Sequence, residues 1–175
     1  KRSGLGQTGS TSLMQTINPL HEWTSVRYSH GGIFQKRLGN RYPVGYPIRV
    51  YRTLEGYWCL TVVDQQRLDL LLALAGHPEF VGDPRFLTHV GRNNHADEID
   101  SLVEPWLQTQ THEQLIEQFE TIKLTAAPIR DIEQVLNNDV LTGRGFWQNV
   151  TLPDGREVRA PGPALRRLET TPGGS

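Results

Sequence analysis

An uncharged run of aromatic and β-branched residues, Tyr57-Trp58-Cys59-Leu60-Thr61-Val62-Val63, leads straight into Asp64 and a helical pattern. No other stretch narrows the choice of fold as much. Such a run predicts a strand buried largely on both faces. Leu54-Glu55-Gly56 before it predicts a turn, because Gly takes the positive φ that other residues avoid. Asp64 stands where an N-cap belongs, with a carboxylate able to accept from the free N–H groups of the next turn. Leu68, Leu71, Leu72 and Ala75 then recur at helical spacing; Gly76 supplies the C-terminal cap and Pro78 prevents continuation. Ahead of the turn, Ile48-Arg49-Val50-Tyr51-Arg52 alternates as a strand does. Residues 51–86 thus read as extended segment, turn, strand, helix, helix stop and structured loop.

Local signals continue along the chain. Residues 87–94 read as a polar loop, with Asn94 capping a helix whose face is Ile99, Leu102, Val103, Trp106 and Leu107. Pro105 falls inside that pattern and should kink the helix or mark a restart. Thr111-His112-Glu113-Gln114 is a capping box, opening a helix with Leu115, Ile116, Phe119 and Ile122 on one face. Residues 124–129 predict a short strand, and Asp131 caps a further helix through Leu136. Residues 148–152 and 156–160 predict a hairpin about Pro153-Asp154-Gly155. Residues 30–47 are turn-rich and irregular.

A chain of 175 residues with 37% hydrophobic content can bury one real core, while 17 Gly and 11 Pro call for long irregular segments. The formal charge of −1 gives no field that would favour nucleic acid or an anionic membrane. No apolar run is long enough to span a membrane, and the first residues carry no apolar leader, so a cytoplasmic protein is expected. The single cysteine, Cys59, excludes an internal disulfide and reads as a core residue of the strand. The six histidines form no i, i+4 pair and none partners the cysteine at ligand spacing, so no metal site is expected. Gly4-Leu5-Gly6-Gln7-Thr8-Gly9 matches the dinucleotide fingerprint in form, but only three residues precede it and that mechanism needs a strand there.

Glu55-Gly56-Tyr57, Ala75-Gly76-His77-Pro78-Glu79 and Asp83-Pro84-Arg85-Phe86, in this order and spacing, resemble the small domain of the family III CoA-transferases. This is the CaiB/BaiF type, the group of formyl-CoA transferase, carnitine CoA-transferase and α-methylacyl-CoA racemase. Gly4-Leu5-Gly6-Gln7 with Ser12-Leu13 is similar to the segment where the family's large domain gives way to a helix, which Asn18-Pro19 should interrupt. Ala126-Ala127-Pro128-Ile129 and Asn138-Asp139-Val140-Leu141 match the family in outline.

The resemblance implies an α/β fold of α+β character: a sheet of three to four strands packed by helices, with long irregular terminal arms. Residues 1–47 would be a linker helix and Gly/Pro-rich loop, 48–160 the small domain, and 161–175 an exit linker toward a large domain. It implies CoA transfer between carboxylic acids through an aspartyl anhydride. The nucleophile would lie upstream of the helix near Ser12, so the chain alone is expected to be inactive. An acyl-CoA racemase fragment, or a non-catalytic interaction domain derived from the family, is the alternative. Asp64 would serve proton exchange only in a racemase-like site, and otherwise caps its helix. Gly39, Asn40, Arg41 and Gly45 fall in the loop that in the family lies over the thioester. The other reading of that loop is a surface linker wrapping its own domain. The implied ligand is acyl-CoA or CoA, as substrate and with no covalent cofactor. The implied partner is a second copy or a large-domain polypeptide, through Ile33, Phe34, Leu165 and Leu168 among others.

Overall fold

The computed structural model describes Gly4, Gly6 and residues 8–165 apart from Pro43. Arg166, Arg167 and Leu168, and the glutamine of the Gly4–Gln7 motif, lie outside the described residues. Ser12 opens the first helix: its hydroxyl accepts from the Gln15 N–H at 3.2 Å, and α1 (Leu13–Ile17) follows. Asn18-Pro19 does interrupt it, as a short 3₁₀ turn over Asn18–His21. A second helix, α2 (Glu22–Gly31), then forms where the sequence signals none, because Trp23 and Val26 make only a two-residue apolar stripe. Neither α1, the turn nor α2 contains a buried residue.

β1 (Ile48–Thr53) and β2 (Gly56–Thr61) pair antiparallel around the Leu54-Glu55 turn, with Tyr51 opposite Trp58. β3 (Thr125–Pro128) adds to the other side of β2, with Leu60 opposite Ala126, and completes a sheet in the order β1-β2-β3. The expectation that this central strand is buried on both faces is not met. Trp58, Leu60 and Val62 are buried, but Tyr57 is 53% exposed and Cys59 only half-buried. Packed helices cover one face alone, so the strand alternates.

Asp64 caps α3 (Gln65–Leu74). At the far end Gly76 has φ +87, and the His77 and Gly76 N–H groups donate to Leu72 and Ala73 carbonyls at 2.9 and 3.1 Å. That is a Schellman close, with glycine where a left-handed residue is required. The segment read as a polar loop contains α4 (His89–Asn94), capped by Thr88, whose hydroxyl accepts from the Gly91 N–H at 3.0 Å. Gly91 is needed there, since a Cβ would run into the Arg85 carbonyl oxygen. Asn94 therefore ends one helix instead of capping the next: α5 (Ala96–Leu107) starts after His95 and runs on past Pro105.

α6 (His112–Thr121) opens with the reciprocal Thr111–Gln114 box, and α7 (Ile132–Leu136) with the same device from Asp131 and Gln134. After α8 (Asp139–Gly143), β4 (Trp147–Thr151) and β5 (Glu157–Pro161) make a separate antiparallel hairpin with Val150 opposite Val158. Among the described residues every buried apolar side chain lies between Tyr46 and Leu124. The core joins Tyr51, Trp58 and Leu60 of the sheet to Leu68, Leu71 and Leu72 of α3, Ile99, Val103 and Leu107 of α5, and Leu115 and Phe119 of α6. Each such side chain contributes about 1.5–3 kcal/mol on burial.

Candidate functional site

The loop before β1 is bound to the domain through its side chains. Asn40 lies along the free edge of β1: its Nδ2 donates to the Val50 carbonyl at 2.5 Å and its Oδ1 accepts from the Val50 N–H at 3.0 Å. A side-chain amide thus stands in for one rung of a missing strand and blunts the edge. The Tyr42 N–H donates to the Ile48 carbonyl at 3.2 Å. Gly39 has φ +62, the left-handed region that favours glycine. At Gly45 an added Cβ would sit 3.1 Å from Ile48 Cδ1 and 3.7 Å from His89 Nδ1, so the backbone passes closely between β1 and α4.

Arg41 reaches α5, donating from Nη2 to Asp97 Oδ1 at 2.5 Å and to Asp100 Oδ2 at 2.8 Å. Asp100 gathers more than this one cation. Its Oδ1 accepts from the Tyr46 and Tyr51 hydroxyls, the latter at 2.8 Å, and its Oδ2 also accepts from Arg49 Nη1. Arg49 Nη2 continues to Glu104 at 3.1 Å, and the Arg49 guanidinium lies 4.7 Å from the Tyr51 ring centre. With four donors on two oxygens, Asp100 is only 6% exposed and remains satisfied.

The electrostatics follow from that packing. Burial raises the Tyr51 hydroxyl well above its ordinary pKa, and the neighbouring Asp100 carboxylate adds to the effect. Burial raises Tyr46 likewise, against the hydrogen bond from Arg49. Both tyrosines are therefore neutral donors. Burial disfavours the Arg49 charge, but its bond to Tyr46 and the Asp100 carboxylate outweigh this and raise its pKa. Arg41 is raised chiefly by Asp97, with Asp100 adding. Removing the carboxylate would take the shared acceptor from the Tyr46 and Tyr51 hydroxyls, while Arg41 keeps Asp97 and Arg49 keeps Glu104.

Asp64 lies apart, at the start of α3, where Oδ1 accepts from the Arg67 N–H at 2.8 Å. Nearby Arg92 of α4 is buried: Nε donates to the Phe86 carbonyl at 2.8 Å and Nη2 to Gln65 at 3.2 Å, while Nη1 has no partner. Burial lowers its pKa, opposed by Asp64 and Asp69. The structure thus brings Gly39, Asn40, Arg41 and Gly45 into one loop and leaves Asp64 outside it. Tyr46, Arg49, Tyr51 and Asp100 complete the cluster without a motif to announce them. One signal was available: Asp100 falls in the buried stripe of Ala96, Ile99, Val103 and Leu107, and an acid there needs buried donors.

Beside the loop, a cleft of about 340 Å³ is lined by Trp23, Arg27, Val44, His89, Val90 and Asn93, among others. Its walls offer an aromatic face, a guanidinium, an imidazole and an amide, a set suited to an anionic or heteroaromatic group. No group of three or more His, Cys, Asp or Glu among the described residues could hold a metal ion.

Known proteins resemble this chain in sequence and in fold. The chain is 30% identical over 175 residues to succinyl-CoA–D-citramalate CoA-transferase of Chloroflexus aurantiacus, covering 99% of this chain and 43% of that one. Succinate–glutarate CoA-transferase of Agrobacterium fabrum is 25% identical over 157 residues, covering 90% of this chain and 39% of the other. The chain therefore spans about two fifths of the length of these relatives. A CaiB/BaiF family protein from Brucella suis superposes with a TM-score of 0.71 at 23% identity, over 95% of this chain and 43% of that one, which shows the shared fold. The family model for CoA-transferase family III matches residues 1–174. Arm, sheet and hairpin all fall within that match, and the chain belongs to CoA-transferase family III.

Proposed function

We propose that this chain forms the small-domain portion of an acyl-CoA transferase, one that moves CoA between carboxylic acids and is inactive as this portion alone. The observation that carries the reading is the arm of α1 and α2. It lies within the family match, yet Leu13 and Leu20 are 83% and 82% exposed and nothing on it is buried. An apolar arm of this kind fits against further polypeptide, either a large domain or a second copy. The acids support the same division of labour. Asp100 has both oxygens occupied, and Asp64 caps a helix, so neither is free to attack a thioester. In this reading the nucleophile comes from polypeptide outside residues 1–175.

The loop of Gly39, Asn40, Arg41 and Gly45 faces acyl-CoA in the assembled enzyme. Asn40 and Arg41 hold the loop in place, while the backbone about Gly39 and Gly45, with the cleft beside Val44, is the surface offered to substrate. The name of the Chloroflexus aurantiacus relative makes succinyl-CoA the first donor to try. The product of the complete reading frame encoding these residues should transfer CoA from succinyl-CoA to at least one of a panel of mono- and dicarboxylic acids. The 175-residue chain should transfer none. Transfer by the chain alone would overturn the proposal, as would a complete product that neither transfers nor binds CoA in calorimetric titration.

A further inference from the structure

Each oxygen of Asp100 takes one donor from the loop and one from the strand: Tyr46 and Tyr51 on Oδ1, Arg41 and Arg49 on Oδ2. Elsewhere the loop meets β1 along its edge, through Asn40 on Val50 and the Tyr42 N–H on the Ile48 carbonyl, and through Arg49 Nη1, which donates to the Tyr46 hydroxyl at 3.3 Å. Asp100 accepts from both Arg41 and Tyr46, one on each side of Gly45, and so binds the loop to α5, where Asp97 takes a further bond from Arg41. We propose that Asp100 is a positioning residue: through Arg41 and Tyr46 it fixes the face that the backbone about Gly39 and Gly45 turns toward acyl-CoA. The proposal rests on the reading of that loop as the surface facing substrate. Asp100 does not touch substrate itself, being 6% exposed, and Tyr46 is wholly buried.

The paired donors supply an internal control. Tyr46→Phe and Tyr51→Phe each delete one hydroxyl on the same oxygen, yet the first cuts a loop tether and the second a strand tether. A carboxylate that served stability alone would respond alike to both. Hydrogen exchange of the 175-residue chain reads the tether directly, at the Tyr42 N–H bonded to Ile48 and the Val50 N–H bonded to Asn40. Tyr46→Phe should speed exchange at these two amides by about tenfold with little change in melting temperature. Tyr51→Phe should lower the melting temperature without singling them out.

In the complete enzyme, Tyr46→Phe should raise KM for acyl-CoA several-fold at nearly constant kcat, since the loop contributes to binding rather than to the reacting atoms. Equal effects of the two tyrosine variants on exchange would overturn the tether. Faster exchange with an unchanged KM would overturn the link to substrate. A wild-type enzyme with no affinity for acyl-CoA would instead refute the functional reading and the substrate link together, and exchange would still decide the tether.

Discussion

At the scale of single residues, Asp64 shows how a polar group near a cluster of cations can still be local in its role. Its Oδ1 accepts from the Arg67 N–H, and Oδ2 lies 3.6 Å from the Arg67 guanidinium on a half-exposed surface where an ion pair is worth little. Asp64→Asn keeps the acceptor and should change stability by less than about 0.5 kcal/mol, whereas Asp64→Ala should cost about 1 kcal/mol in denaturant unfolding. A cost for Asn as large as that for Ala would show instead that the charge acts on Arg67 and the buried Arg92. The cap was legible because donor and acceptor lie three residues apart. The Asp100 cluster was not, because its acceptor and donors are about fifty residues apart and each is ordinary in its own surroundings. Arg41 could be singled out from its loop, but its partner could not.

At the scale of elements, the ends of helices were more legible than their existence. Thr111-x-x-Gln114 and Asp131 state their caps in the sequence, and Gly76 states a stop. α2 and α4 escaped because they bury little or are too short for a stripe to show; α4 is held by Thr88 and by the close approach at Gly91. The end of α6 escaped for another reason. Lys123 has φ +52, and the Leu124 and Lys123 N–H groups donate to the Phe119 and Glu120 carbonyls at 2.9 and 3.1 Å. This is the same Schellman close as at Gly76, built with a lysine where glycine is easiest. A left-handed conformation costs a non-glycine residue about 1–2 kcal/mol, partly offset in Lys123→Gly by the freer unfolded chain. Lys123→Gly should therefore stabilise the protein by about 0.5–1 kcal/mol, read as a raised denaturant midpoint at constant slope. An unchanged or lowered midpoint would mean that the lysine side chain makes contributions the glycine cannot replace.

At the scale of the whole molecule, stability and association are carried by different parts of the chain. Among the described residues the buried apolar core lies within residues 46–124, and the arm of α1 and α2 presents its apolar side chains outward. Leu13, Met14 and Ile17 line one hollow of the arm, with Leu20 exposed one turn further on. Removing Leu13, Met14 and Leu20 should hardly alter folding, because each keeps about four fifths of its surface in water. It should alter association, because an uncovered apolar patch gains by meeting another surface. The 175-residue chain is thus expected to self-associate in sedimentation velocity, with a weight-average coefficient that rises with concentration. Replacing Leu13, Met14 and Leu20 together by Gln should shift it toward monomer while leaving the melting temperature within a degree or two, about the span of a few tenths of a kcal/mol. A wild-type chain that stays monomeric at every concentration would remove the arm as an association surface. A large fall in melting temperature would show that the arm packs on the core after all, and the division between a folding body and a docking arm would be wrong.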